Sequence, residues 1–121
     1  MIRRHVILFS ARFATDVACG NKRQTIRPPR IRTIAAGDVL LLRAWEGRPY
    51  HSGQIDLALR VCTRVAECFI SADLCIVDKV GLASTELDAF ARADGFADWA
   101  AMRAWFDADY GLPFTGQLIY W

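Results

Sequence analysis

Ile55-Asp56-Leu57-Ala58-Leu59-Arg60-Val61-Cys62-Thr63-Arg64-Val65 sets an apolar or β-branched side chain at each odd position and places Asp56, Arg60 and Arg64 at even ones. That period of two predicts one strand with its odd face in a core. Upstream, Gly37-Asp38 forms a turn before a second strand over Val39 to Trp45, and Glu46-Gly47-Arg48-Pro49 closes a hairpin between the two. Arg4 to Phe9 is a short apolar run of the kind a buried strand shows, and Phe13 with Val17 marks an early helix that Gly20 ends. Downstream, Leu74 to Val80 reads as a further strand. The period then lengthens. Ser84 or Thr85 caps a helix carrying Leu87, Phe90 and Ala91, Gly95 interrupts, and Trp99, Met102 and Phe106 form the inner stripe of a helix that Gly111 stops. Gln117 to Trp121 is strand-like, which ties this end into the sheet and packs Trp121. Four or five strands with an early helix and two late ones predict an α+β domain over residues 1–121, its short strands curling into a small barrel.

Composition narrows the function classes. The 121 residues are 54% hydrophobic and 23% charged, enough for one real core and far from a disordered or low-complexity chain. No apolar run approaches the roughly 18 residues of a membrane span. After Arg3-Arg4, Val6 to Phe9 is too short for a secretory leader, so a cytoplasmic protein without a membrane partner is expected. Cys19, Cys62, Cys68 and Cys75 form no C-x-x-C pair and read as small buried or half-buried residues. With only His5 and His51 to join them, neither a metal nor a cofactor is expected.

Charge is divided unevenly. Residues 1–64 carry a balance of +8 and residues 65–121 one of −6. Lys22, Arg23, Arg27, Arg30 and Arg32 fall within eleven residues that hold no acidic side chain. Such a segment either focuses a positive field on an anionic ligand or forms a solvated arginine face paired with the acidic half. Pro28-Pro29 forbids helix, so the segment is expected to run as an exposed arm. With thirteen Arg and two Lys in the chain, a lysine inside this cluster points to a group that must be able to release its proton. Lys22 and Thr25 are three apart, and a helical or tight-turn conformation would bring ammonium and hydroxyl to one side. The plainer alternative is a turn-capping Thr25 with a solvated Lys22. Tyr50-His51 follows a turn, where Tyr50 could stack on a base and His51 serve as acid or base. Trp45, Trp99, Trp105 and Trp121 read as core, with Trp105 off the inner helical stripe and so the most exposed.

Gly20-Asn21-Lys22-Arg23-Gln24-Thr25-Ile26-Arg27 resembles the G-x-K-x-x-E-x-R signature of the ASCH domain family, a PUA-like β-barrel superfamily linked to RNA, with Thr25 where many members have glutamate. The likeness extends through Gly37-Asp38-Val39-Leu40 and through Asp94-Gly95-Phe96 to the closing strand. One branch, small bacterial amidohydrolases acting on N4-acetylcytidine, also has threonine there. This resemblance implies catalytic roles for Lys22 and Thr25, with Asp94 in the place of a later glutamate and Asp88 and Glu86 as competitors for it. It also matches Arg27 to the family's arginine, and the residue reading adds Arg23, Tyr50 and His51 to Arg27 as substrate-binding candidates. The partner so implied is RNA or a modified nucleoside. The alternatives are a non-catalytic RNA-binding module and a ribonuclease using Lys22, Arg27, Tyr50 or His51.

Overall fold

In a computed structural model that describes residues 1–121, strand β1 (Arg4–Phe9) is followed by a 3₁₀ turn (Ala11–Phe13), helix α1 (Ala14–Cys19) and β2 (Gln24–Arg27). A hairpin of β3 (Val39–Trp45) and β4 (Gln54–Val61) comes next, then β5 (Arg64–Ile70), β6 (Cys75–Val77) and β7 (Val80–Gly81). Helices α2 (Leu87–Ala93) and α3 (Trp99–Tyr110) precede the closing strand β8 (Phe114–Tyr120). The strands form two sheets, one ordered β1-β3-β4 and one β2-β8-β5-β6-β7. The class is therefore α+β. The expected closed barrel is not found, and the strand count is eight because β2, β6 and β7 are short pieces.

A cluster of 22 buried residues forms the core, with Ile7, Leu40, Leu42, Ile70, Met102, Phe106 and Leu118 among its fully enclosed side chains. Truncating one of these large residues to alanine costs about 2–5 kcal/mol, because the transfer energy is lost and a cavity remains. As expected, β8 is tied in firmly: it runs antiparallel between β2 and β5, and Trp121 packs edge-on against Phe9 with ring centroids 6.1 Å apart.

The 55–65 stretch departs from its expected form in two ways. It is not one strand: Cys62-Thr63 separates β4 in the first sheet from β5 in the second. Its odd residues also do not all face the core. Buried Leu40 and Leu42 of β3 stand opposite Arg60 and Ala58, which puts those even residues on the core side, while Leu59 and Val61 point away and are 61% and 55% exposed. The register slips between Leu42 and Arg43, leaving Leu57 as an extra residue in β4, and this bulge reverses the alternation.

The basic segment also differs from an exposed arm. Lys22 is buried, Gln24, Thr25 and Ile26 are buried in β2, which is paired with β8, and the exposed parts are Arg23 and most of the stretch from Pro28 onward. Leu74 to Val80 is likewise broken into β6 and β7, and neither Ser84 nor Thr85 caps α2, whose N-cap position is Glu86. Cys19 is exposed, whereas the other three cysteines are buried thiols.

Candidate active site

The chain around Lys22 is stitched on both sides. The Lys22 amide donates to the Asp16 carbonyl at 2.9 Å, just behind α1, and the Arg23 amide donates to the Ala93 carbonyl at 2.9 Å, at the end of α2. These bonds bring Lys22 against Asp94. The turn after Asp94 needs Gly95, whose φ of +90° is a left-handed conformation and where a Cβ would lie 3.1 Å from Lys22 Cδ. Gly116 fixes the opposite side. A Cβ there would meet the Arg27 carbonyl at 2.6 Å, so only glycine lets β8 approach β2 this closely.

Lys22, Thr25, Arg27 and Asp94 line one cavity of about 190 Å³, walled by the aromatic rings of Phe9, Phe13, Phe96, Trp105, Phe106 and Tyr110. Lys22, Thr25 and Asp94 are 2%, 4% and 2% exposed. Lys22 Nζ donates to the Asp94 carbonyl and lies 3.4 Å from Asp94 Oδ1, with the Phe13 ring 4.8 Å away on another side. Thr25 and Arg27 are two apart on β2 and share a face. There Arg27 Nε donates to Thr25 Oγ1 at 3.0 Å, and Arg27 Nη2 donates to the Leu8 carbonyl at 2.8 Å. No hydrogen bond joins Lys22 to Thr25: Lys22 lies in the connection before β2 and Thr25 within β2, so the expected tight turn is not formed.

Burial dominates the electrostatics here. It pushes the Asp94 carboxyl up to about 6, against the pull of Lys22, Gln24 and Arg27 toward the charged form. It also draws the Lys22 ammonium below the ordinary lysine range, helped by Arg27 and Arg12 and opposed by Asp94. Both members are thus displaced toward neutrality. Asp94 Oδ1 and the neighbouring Gln24 Nε2 are buried without a hydrogen-bond partner, so the ion pair is close but poorly aligned.

The other residues singled out from sequence are placed elsewhere. Asp88 accepts a hydrogen bond from the Trp99 amide and Glu86 from the Ala83 amide, both in exposed positions, so of the three acidic candidates only Asp94 reaches the cavity. Arg23 is exposed on surface depressions outside it, and Arg30 donates to the Val6 carbonyl. Tyr50 and His51 lie exposed in the turn between β3 and β4, with Tyr50 against Trp45, and neither lines the cavity. None of the four tryptophans is fully buried, and Trp105 is part of the cavity wall. Sequence reasoning missed Ser10, Asp109 and Tyr110, which also line the cavity. The helical spacing of Phe106 and Tyr110 on α3 was the one available signal for the last of them. No three His, Cys, Asp or Glu side chains converge as a metal site. No helix is long and apolar enough to cross a membrane.

Neither family models nor curated proteins nor solved structures yield a match to this chain.

Proposed function

We propose that the chain is a PUA-like member of the ASCH family that hydrolyses the amide of an N4-acylated cytidine, with its two sheets as an opened form of the family barrel. The observation that carries this reading is the convergence of Lys22, Thr25 and Asp94 in one aromatic-walled cavity of about 190 Å³. A cavity of that size suits a planar base with a short acyl group, being smaller than the roughly 300–1,000 Å³ of drug-sized pockets. A buried ion pair left without full hydrogen bonding weakens a fold, which is reason to look for its use in chemistry.

In this mechanism Thr25 Oγ1 attacks the acyl carbonyl while neutral Lys22 takes its proton. Arg27 donates to Thr25 Oγ1, which favours the developing alkoxide and leaves the hydroxyl proton free to point elsewhere. The oxyanion meets the Arg27 guanidinium, Lys22 returns the proton to the departing exocyclic amine, and water then cleaves the acyl-threonine. Asp94 holds the Lys22 ammonium between these transfers. The net reaction converts amide and water into carboxylic acid and amine.

Incubating the protein with N4-acetylcytidine, and separately with a mixed RNA, distinguishes this reading by product. Release of acetate and cytidine is expected. Turnover that survives both Thr25→Val and Lys22→Arg overturns the assignment. Binding of RNA without cleavage is the second reading, favoured by exposed Arg23 beside Arg92 in one depression and beside Arg64 in another. It requires affinity that falls steeply with salt, by about 0.7 counterion per neutralised phosphate of a single strand. A ribonuclease centred on Tyr50 and His51 draws no support from their position outside the cavity.

A further inference from the structure

The cavity has a buried floor and an exposed mouth with different chemistry. Its floor holds Lys22, Thr25 and Asp94, while Asp109 and Tyr110, on the last turn of α3, are exposed, and Ser10 is half-buried. The only cations among the lining residues are Lys22 and Arg27. Lys22 is enclosed against Asp94, and Arg27 is anchored by Leu8 and Thr25 beside the proposed nucleophile, where its assigned role is to meet the oxyanion. Among its lining side chains the mouth therefore presents one free carboxylate and two hydroxyls and no cation, while Arg12 lies outside the lining with its guanidinium over the Phe13 and Phe96 rings at 4.4 and 5.1 Å.

Resting on the hydrolase reading above, we propose that Asp109 is a specificity-determining residue that selects neutral, hydroxyl-bearing nucleosides and turns away their phosphorylated forms. If the amide carbonyl is at Thr25 on the floor, the sugar of the same molecule extends to the mouth. A carboxylate accepts hydrogen bonds from sugar hydroxyls, as do the Ser10 and Tyr110 oxygens, whereas it repels a phosphate. One carboxylate several ångströms from a phosphate dianion, with water between, discriminates by about tenfold at low ionic strength. The basic residues at 12, 23, 30 and 32 do not line the cavity, and of these Arg12 is already engaged with the Phe13 and Phe96 rings.

The test compares kcat/KM for N4-acetylcytidine and for its 5′-monophosphate in the wild type, Asp109→Asn and Asp109→Lys. Dissociation constants for both ligands are measured on the same variants carrying Thr25→Val. The wild type is expected to favour the unphosphorylated ligand by about tenfold or more, and Asp109→Lys to narrow or invert that ratio by at least about tenfold, with Asp109→Asn between them. Raising the salt to about 0.5 M should shrink the differences, since exposed charges are screened. A ratio unmoved in both variants overturns the role of Asp109 and leaves the hydrolase reading standing. A wild type that neither binds nor cleaves either compound overturns both. Asp109 is exposed, and circular dichroism of each variant confirms that a changed ratio is not lost folding.

Discussion

Two buried acid–base pairs set the terms of this molecule, and they are built in opposite ways. Asp38, at the turn before β3, accepts His5 Nε2 at 2.9 Å, the Ala35 amide at 3.0 Å and the Arg3 amide at 3.1 Å. The His5 hydrogen bond, followed by those two amides, holds its carboxyl down at about 2. Asp94 has a lysine 3.4 Å away, yet its Oδ1 has no aligned donor and burial raises its carboxyl to about 6. The same kind of pairing stabilises the fold in one place and weighs on it in the other. A fully donated carboxylate locks a turn. An under-donated one beside a threonine and an open cavity is where the proposed chemistry is placed.

The strongest way to break this contrast is at the cavity. Thr25→Val and Lys22→Arg should each lower kcat for N4-acetylcytidine by about 10³-fold or more while ligand affinity persists. Loss below about tenfold in either would put the cavity pair on the same structural footing as His5–Asp38. Removing both charges at once sharpens the stability side. Lys22→Met with Asp94→Leu should fold, abolish turnover and leave thermal stability unchanged or raised by about 1–4 kcal/mol. A Tm well below wild type would show that the cavity pair supports the fold after all. Asp38→Asn is expected to lower Tm, in contrast to that double variant, because it removes the carboxylate on which three donors converge. Gly116→Ala is expected to destabilise by about 1–3 kcal/mol and to move Arg27, since the added methyl overlaps its carbonyl.

The smallest and most discriminating difference lies in acid. Asp38 titrates lower in the folded state than unfolded, so its stabilisation is complete above the ordinary carboxyl range and is lost as pH falls from about 4 toward 2. Asp94 titrates higher when folded, so its ionisation costs stability as pH rises from about 4 to 6. Urea denaturation across this span should show Asp94→Asn flattening the upper part and Asp38→Asn flattening the lower. An acid limb in kcat/KM near pH 6 that Asp94→Asn removes would tie the same titration to turnover.

Where local pattern and tertiary demand agree, the sequence is readable to the residue. Arg4–Phe9 and Val39–Trp45 are strands with the expected bounds, and Gly20 and Gly111 follow α1 and α3 as stops. Residues 55–65 mislead because a period of two tells that alternate side chains share a face and not which face meets the core. That choice depends on Leu40 and Leu42 across the hairpin and on the extra residue at Leu57. Lys22, Thr25 and Asp94 could be named from the motif resemblance, but the spacing of Lys22 and Thr25 suggests a helical or tight turn where the chain enters strand β2. The order of the basic residues likewise hid that Lys22 and Arg27 turn inward and Arg23 and Arg32 outward. Asp109 carries no local signature, since nothing in a helix tells which of its ends closes a cavity.

Arg27 does more than touch Thr25. β1 and β2 belong to different sheets, and the guanidinium reaches from one to the other, with Nη2 on the Leu8 carbonyl and Nε on Thr25 Oγ1. It is a tie-rod across a seam, and it works because two separate nitrogens of one rigid plane point at two separate oxygens. A lysine at this position would concentrate its donors at a single point and could not span both. The separation of the two sheets is thereby transmitted to the Thr25 hydroxyl, the nucleophile of the proposed mechanism, so under that proposal a load that widens the seam would slow turnover before it unfolded the protein.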